Sequence, residues 1–220
     1  MQAPPRLPDD TQRHMICGRT GSGKTWFGIW SLSHRSYDRM PWLIYDFKGD
    51  ALIGALDADE IEPGKIPRKP GLYVTRPNPG VDDERVEASF WKARAQGDVG
   101  LYIDEGYMVG RDNAGLNAVL TQGRSLHVPV IMLSQRPVWL SRFCFSEADF
   151  FSLFHLNDRR DRQTVTTFMR DVSADYQLPE YHSFYYDVGR NDLRVFSPVP
   201  DSDAILETFL RRRGKRVRTI

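Results

Sequence analysis

The chain has 220 residues, of which 40% are hydrophobic and 12% aromatic, which suits one domain with a packed core. No apolar run reaches the length of a membrane-spanning helix, and Met1–Asp10 is Pro-rich and polar, without the basic start or apolar stretch of a signal peptide, so a cytosolic protein is expected. The formal net charge is +1, but six of the last ten residues, Arg211–Ile220, are Lys or Arg, which leaves residues 1–210 at −5: an acidic body with a basic tail.

In chain order, Met1–Thr11 reads as a lead-in arm and His14–Cys17 as a buried strand. Gly18, Arg19, Thr20, Gly21, Ser22, Gly23, Lys24 and Thr25 then match G-x-x-x-x-G-K-[ST] in full. A helix with a wide apolar face follows to about His34, and its N-terminus favours an anion. Trp42–Asp46 is a second buried strand that turns polar over Phe47–Asp50. Pro63–Pro70 reads as a surface loop, Gly71–Val74 as a short strand, and the segment from Val81 as a helix with Gly97 at its C-cap. Val99–Ile103 is a strand ending in Asp104-Glu105, followed by the Gly-rich loop Gly106–Gly115 and a helix to about Gly123. Val128–Leu133 and Phe150–Leu156 are further strands, with a polar helix predicted over Asp158–Arg170. Ser183–Val188 and Leu193–Ser197 flank a hairpin turn, and Asp203–Arg213 is the last helix. The alternation predicts an α/β fold with a mostly parallel sheet covered on both faces, a C-terminal β-hairpin and a basic tail. The expected division is an arm over 1–11, a nucleotide-binding domain over 12–200, and a helix with the tail over 201–220. Cys17 and Cys144 have no metal-binding spacing and are expected to be reduced and buried.

The chemistry converges on a polyphosphate. The loop glycines let backbone N–H groups face phosphates, Lys24 reaches the β- and γ-phosphates, and Thr25 offers its hydroxyl to Mg²⁺. An apolar strand ending in an acidic pair resembles Walker B, with Asp104 as a metal ligand and Glu105 as general base for the attacking water. Gln135, at the tip of a following strand, suits a γ-phosphate sensor. Arg124 is a candidate to reach a neighbouring subunit's γ-phosphate, or else a cation favoured at a helix C-terminus. Arg136 is its rival, though Pro137 beside it suggests a turn-fixing role.

Together, His14, Gly18–Thr25, Tyr45-Asp46-Phe47-Lys48-Gly49-Asp50, Ile103-Asp104-Glu105, Gly123-Arg124 and Ser134-Gln135-Arg136-Pro137 resemble the FtsK–HerA superfamily of DNA-pumping ATPases. The single-domain layout is similar to the genome-packaging ATPases of tailless icosahedral viruses and phages, and the resemblance covers roughly residues 12–170. It implies a RecA-like core, ATP with Mg²⁺, a ring expected to be a hexamer, and sequence-independent DNA translocation. It also implies work in the host cytoplasm, docked at a capsid vertex or on packaging-complex proteins. It assigns Lys24, Thr25, Asp104, Glu105 and Gln135 their family roles and puts Arg124 at the arginine-finger position. The chain departs from cell-division translocases in having no membrane-spanning N-terminus, and from HerA-type repair motors in having no N-terminal barrel. A cellular or plasmid DNA pump, a filamentous-phage assembly ATPase similar to the zonula-occludens-toxin family, and a small-molecule kinase are the alternatives. Arg111 and Lys48 are candidates for a DNA-lined pore or are ordinary solvent cations. The basic tail is a DNA contact, a docking element, or a solvated tail.

Overall fold

The computed structural model describes residues 5–212, so most of the expected basic tail, with Arg213, Lys215, Arg216 and Arg218, lies outside the described residues. Strands β1 (His14–Cys17), β2 (Pro41–Asp46), β5 (Gly100–Asp104), β6 (Val130–Ser134) and β7 (Phe150–Leu153) are buried at every position. Their near-continuous apolar runs follow from that two-sided burial. With β3 (Asp59–Glu60), β4 (Gly71–Thr75), β8 (Ser183–Asp187) and β9 (Asp192–Phe196) they form a nine-stranded sheet in the order β3-β4-β2-β5-β6-β1-β7-β8-β9. The first seven strands in that order are parallel, and β8 and β9 add an antiparallel hairpin at one edge.

Helices cover both faces. On one, α3 (Asp83–Gln96) and α4 (Ala114–Gln122) supply Val86, Phe90, Leu116 and Val119 to a core with Leu43, Tyr45, Leu101 and Ile103. On the other, α1 (Lys24–Ser33), α2 (Ala51–Gly54) and α7 (Ser202–Arg212) bring Phe27, Ile29, Leu32, Ile53, Ile205 and Phe209 against Trp42, Ile44 and Tyr102. Neighbouring residues of β2 and β5 thus divide between the two cores, as the period of two in a strand requires. Each such fully buried apolar side chain contributes about 2 kcal/mol. Two short helices, α5 (Phe143–Ser146) and α6 (Arg159–Thr166), complete the first face through Phe145 and Val165.

Several expected boundaries move. The polar helix predicted over Asp158–Arg170 stops at Thr166, and the strand predicted to Leu156 ends at Leu153. β3 was too short to predict. Asp158 caps α6 by accepting from Arg160 N, and Gly97, with φ 68°, ends α3 by donating to Ala93 O at 2.9 Å. Cys17 and Cys144 are buried free thiols, and burial pushes Cys144 up to about 12.

α7 closes onto α1. Arg212 donates to Ser33 O at 2.6 Å and Arg35 O at 2.8 Å, pairs with Asp38 at 3.1 Å, and lies 4.8 Å from the centre of the Tyr37 ring. It therefore satisfies carbonyls at the C-terminal end of α1, which have no partner within that helix. Arg211 pairs with Glu207 one turn earlier, at 2.6 Å. Two arginines of the basic cluster, in the helix expected over Asp203–Arg213, are thus bonded within the fold.

Candidate nucleotide site

The loop Gly18–Lys24 leaves the C-terminal end of β1 between β6 and β7, and it is tied to both. Gly18 N donates to Ser134 O at 3.1 Å and Arg19 N donates to His155 O at 2.9 Å. Gly18 has no room for a side chain: a Cβ would lie 2.4 Å from Ser22 Oγ and 2.8 Å from Phe154 Cβ. Gly21 and Gly23 have φ of 76° and 91°, the left-handed region that glycine enters without strain. The loop runs directly into α1, whose N-terminal N–H groups add partial positive charge.

The strand order brings the separate motifs together. β6 lies between β1 and β5, so the ends of all three strands face one site. Lys24 Nζ lies 3.0 Å from Glu105 Oε1, and both side chains are buried. Lys48 Nζ contacts the same Oε1 from the end of β2. Thr20 Oγ1 donates to Gln135 Oε1 at 2.5 Å, and Gln135 Nε2 donates to Tyr107 Oη at 3.0 Å. Gln135 therefore bridges the loop to the turn that follows Glu105.

Asp104 is 1% exposed and its Oδ1 has no hydrogen-bond partner. Burial, reinforced by the Glu105 charge, pushes its carboxyl up to about 7. A buried acceptor of this kind fits a small hard cation that completes its shell with phosphate and water. Among the described residues no group of three His, Cys, Asp or Glu side chains converges as a metal cage. One carboxylate and one hydroxyl are the protein donors the sequence motif supplies.

Other expected residues lie elsewhere. Arg124 sits ahead of β6, at the end of the strands away from the loop, and pairs with Asp149 at 3.4 Å. Asp149 is held independently by Arg13, through its backbone N–H at 2.9 Å and its Nε at 3.3 Å. Arg124 cannot reach its own subunit's loop from there. Arg136 pairs with Asp161 at 3.3 Å and Asp158 at 3.5 Å and lies over the Trp139 ring at 4.7 Å, in keeping with a turn-fixing role. His14 is at the far end of β1, bonded to Ser152 Oγ at 2.9 Å, and burial holds it neutral. Lys48 turns its ammonium onto Glu105 inside the site.

Sequence reasoning missed two residues and one contact. Tyr107 holds Gln135. Tyr181, with φ 58°, stands against Gly23 and lines a cavity of about 430 Å³ beside the loop, together with Thr25, Trp26, Phe154, Pro198 and Val199. Lys48 was visible as a residue, but its partner was not.

No family model matches the chain. It is 45% identical over 214 residues to the DNA packaging ATPase P9 of Enterobacteria phage PRD1, covering 93% of this chain and 94% of that protein. The genome packaging NTPase B204 of Sulfolobus turreted icosahedral virus 2, solved in complex with ATPγS, superposes with a TM-score of 0.63 at 17% identity, over 88% of this chain and 100% of that one. ATPases 2 and 3 of EssC from Geobacillus thermodenitrificans superpose with a TM-score of 0.62 at 12% identity, over 95% of this chain and 45% of that one. The two superpositions establish likeness of fold.

Proposed function

The chain belongs to the DNA-packaging ATPases of the FtsK–HerA superfamily, and we propose that it hydrolyses ATP at this site to drive a viral genome into a preformed capsid. The observation that carries the reading is the convergence of Lys24, Asp104, Glu105 and Gln135 at the ends of three adjacent strands.

In this reading the loop N–H groups and Lys24 bind the β- and γ-phosphates. Thr25 and Asp104 hold Mg²⁺, which when bound offsets phosphate charge. The aromatic cavity around Trp26, Phe154 and Tyr181 receives the base and ribose. Glu105 takes a proton from the attacking water. Gln135 bonds the γ-phosphate in exchange for Thr20, so loss of that phosphate is transmitted to the turn at Tyr107. The placement of Arg124 away from its own loop supports action on a neighbour, and hence a ring, expected to be a hexamer, closed by head-to-tail contacts. Asp149 stays paired with Arg13 when Arg124 leaves, so the exposed arginine is released at a cost of about 1 kcal/mol or less.

DNA needs a positive track, and one is available on the same edge of the sheet. Arg111, Arg142 and Arg160 line a groove of about 470 Å³ with Gln163, Thr164 and Thr167. Among the described residues no carboxylate is within ion-pair distance of the three arginines. The arginines sit on segments that leave β5, β6 and β7, the first two of which carry Glu105 and Gln135. Contacts of this type bind phosphates and carry no sequence information.

The test is ATP hydrolysis with and without DNA. Stimulation by DNA of unrelated sequences supports the reading, whereas transfer of the γ-phosphoryl to a small acceptor favours a kinase and overturns it. Among the described residues no helix is long and apolar enough to cross a membrane.

A further inference from the structure

At the end of the strands away from the nucleotide loop, the segment 63–70 lies along α3 and leaves a groove of about 830 Å³ between them. The segment is held in place before anything binds. Pro63, Pro67 and Pro70 fix their own φ angles. From α3, Lys92 Nζ donates to Gly64 O at 2.8 Å and Gln96 Nε2 donates to Pro67 O at 2.9 Å. Ile66 packs against the core beneath. The side chains on this segment are therefore presented from an ordered backbone, and a partner does not have to order it.

The groove is cationic in a body that is not. Residues 1–210 are net −5, yet Lys65, Arg68 and Lys92 line the groove, all of them exposed, and the exposed Lys69 follows Arg68. The acid on its lining is Asp98, whose carboxylate lies 3.1 Å from His127 Nδ1. Lys65 pairs with Glu62 at 3.1 Å. Among the described residues no carboxylate is within ion-pair distance of Arg68, Lys69 or Lys92. Ile66 and Ala95 add apolar surface to the same lining.

Two kinds of macromolecule carry the matching charge. Duplex DNA presents rows of phosphates and has nothing to lay on Ile66 and Ala95. The arginine groove proposed for DNA is built from other elements, with Arg142 and Phe145 on one side and Arg160 and Gln163 of α6 on the other. Helix α4 packs on both α3 and α5 and so stands between the two grooves. An extended polypeptide with acidic and apolar side chains satisfies both the cations and the apolar surface. Bound there, it leaves the nucleotide site at the other end of the sheet unobstructed.

We propose that this groove docks the ATPase onto an acidic, partly apolar segment of another protein of the packaging complex. The packaging reading supplies the identity of that partner, and the chemistry of the groove stands without it.

Fluorescence anisotropy at physiological salt tests this with two probes: a labelled peptide of mixed Glu, Leu and Ser, and a labelled DNA duplex of unrelated sequence. Reversing two exposed charges in Lys65→Glu/Arg68→Glu should weaken peptide binding about ten-fold or more. Ala95→Trp keeps every cation and fills the groove, and should weaken the peptide several-fold. Duplex affinity and DNA-stimulated hydrolysis should stay at native values in both. Failure of the native chain to bind the peptide overturns the proposal. So does unchanged peptide affinity in the double variant, because the binding then lies elsewhere, the basic tail included. Native peptide affinity in Ala95→Trp overturns it as well, since charge alone would then suffice without the groove. A parallel loss of duplex affinity assigns the groove to DNA and also overturns it. A native chain whose hydrolysis ignores DNA fails the packaging reading, whereas the docking surface fails on these titrations, so the two failures are told apart.

Discussion

Lys24 and Glu105 hold each other at 3.0 Å, so the cation that meets phosphate and the carboxylate assigned to water are paired before either finds its substrate. Lys24→Ala should weaken nucleotide binding by about 100-fold, the size of a missing charge-assisted bond of ~3 kcal/mol. Glu105→Gln should bind nucleotide normally and lose about 10²–10⁴ in kcat. Fluorescent-nucleotide titration beside turnover measurements separates these outcomes, and a Glu105→Gln rate near the native one refutes the base assignment.

Arg124 gives a mixing prediction. Arg124→Ala should bind ATP as the native chain does and hydrolyse it poorly. Adding Lys24→Ala subunits with Arg124 intact should restore part of the activity, since the arginine serves the adjacent subunit. No rescue in verified mixed rings would leave Arg124 as the partner of Asp149 alone.

Asp104 links stability to pH. Its carboxyl in the folded chain titrates at about 7 against an ordinary value of 3.8, so the folded state binds the extra proton. The stability from that proton is complete below about pH 4 and is lost as pH rises through 7. Asp104→Asn removes the dependence. In nucleotide-free protein its advantage in melting temperature over the native chain should grow from pH 4 to pH 8, corresponding to on the order of 4 kcal/mol. A constant difference over that range would contradict the assignment.

The helix pair on one face gives a test in which two effects oppose. Gly115 lies in α4, where alanine is intrinsically better by about 1 kcal/mol. A Cβ there would stand 2.7 Å from the carbonyl oxygen of Glu87 in α3, a backbone atom that cannot turn away. Overpacking of this kind costs about 1–3 kcal/mol, so Gly115→Ala should lower the denaturation midpoint. A raised midpoint would mean that the helices separate freely.

The chain end should be cut in two ways. Removing residues 213–220 is expected to leave DNA-free hydrolysis and melting temperature unchanged. Removing 211–220 also takes Arg212 from the carbonyls of α1 and should destabilise the fold by about 1–3 kcal/mol. Titrating DNA against the shorter truncation at several salt concentrations tests whether the tail neutralises DNA phosphates. Each phosphate that goes without its cation makes the salt slope shallower by ~0.9 on duplex DNA, and superimposable curves rule such a role out.

The parts legible in the sequence were those written in local geometry. Gly21 and Gly23 announce positive φ, Asp104-Glu105 announces a strand end, and Gly189–Asp192 announces a hairpin, because each depends on a few neighbouring residues. Relations between strands were not written locally. Lys48 stood two residues beyond a visible strand, but its approach to Glu105 depends on β2 and β5 being neighbours in register. Tyr181 joins the loop from a segment without periodicity. Arg212 looked like one more cation in a run, and only the packing of α7 on α1 makes it a cap.

The central position of β1 also governs how the protein is made. It is the first strand to be synthesised, yet both of its neighbours come late: His14 pairs with Ile131 on one side and Phe150 on the other. Arg13, just ahead of it, bonds Asp149 across 136 positions. At roughly 5–20 residues per second, β1 waits on the order of ten seconds for partners. Until then its apolar residues are an unpaired strand, and the loop after Cys17 has neither Ser134 nor His155 to fix it. Nascent chains that stop short of β7 therefore carry the whole phosphate-binding motif without the anchored loop.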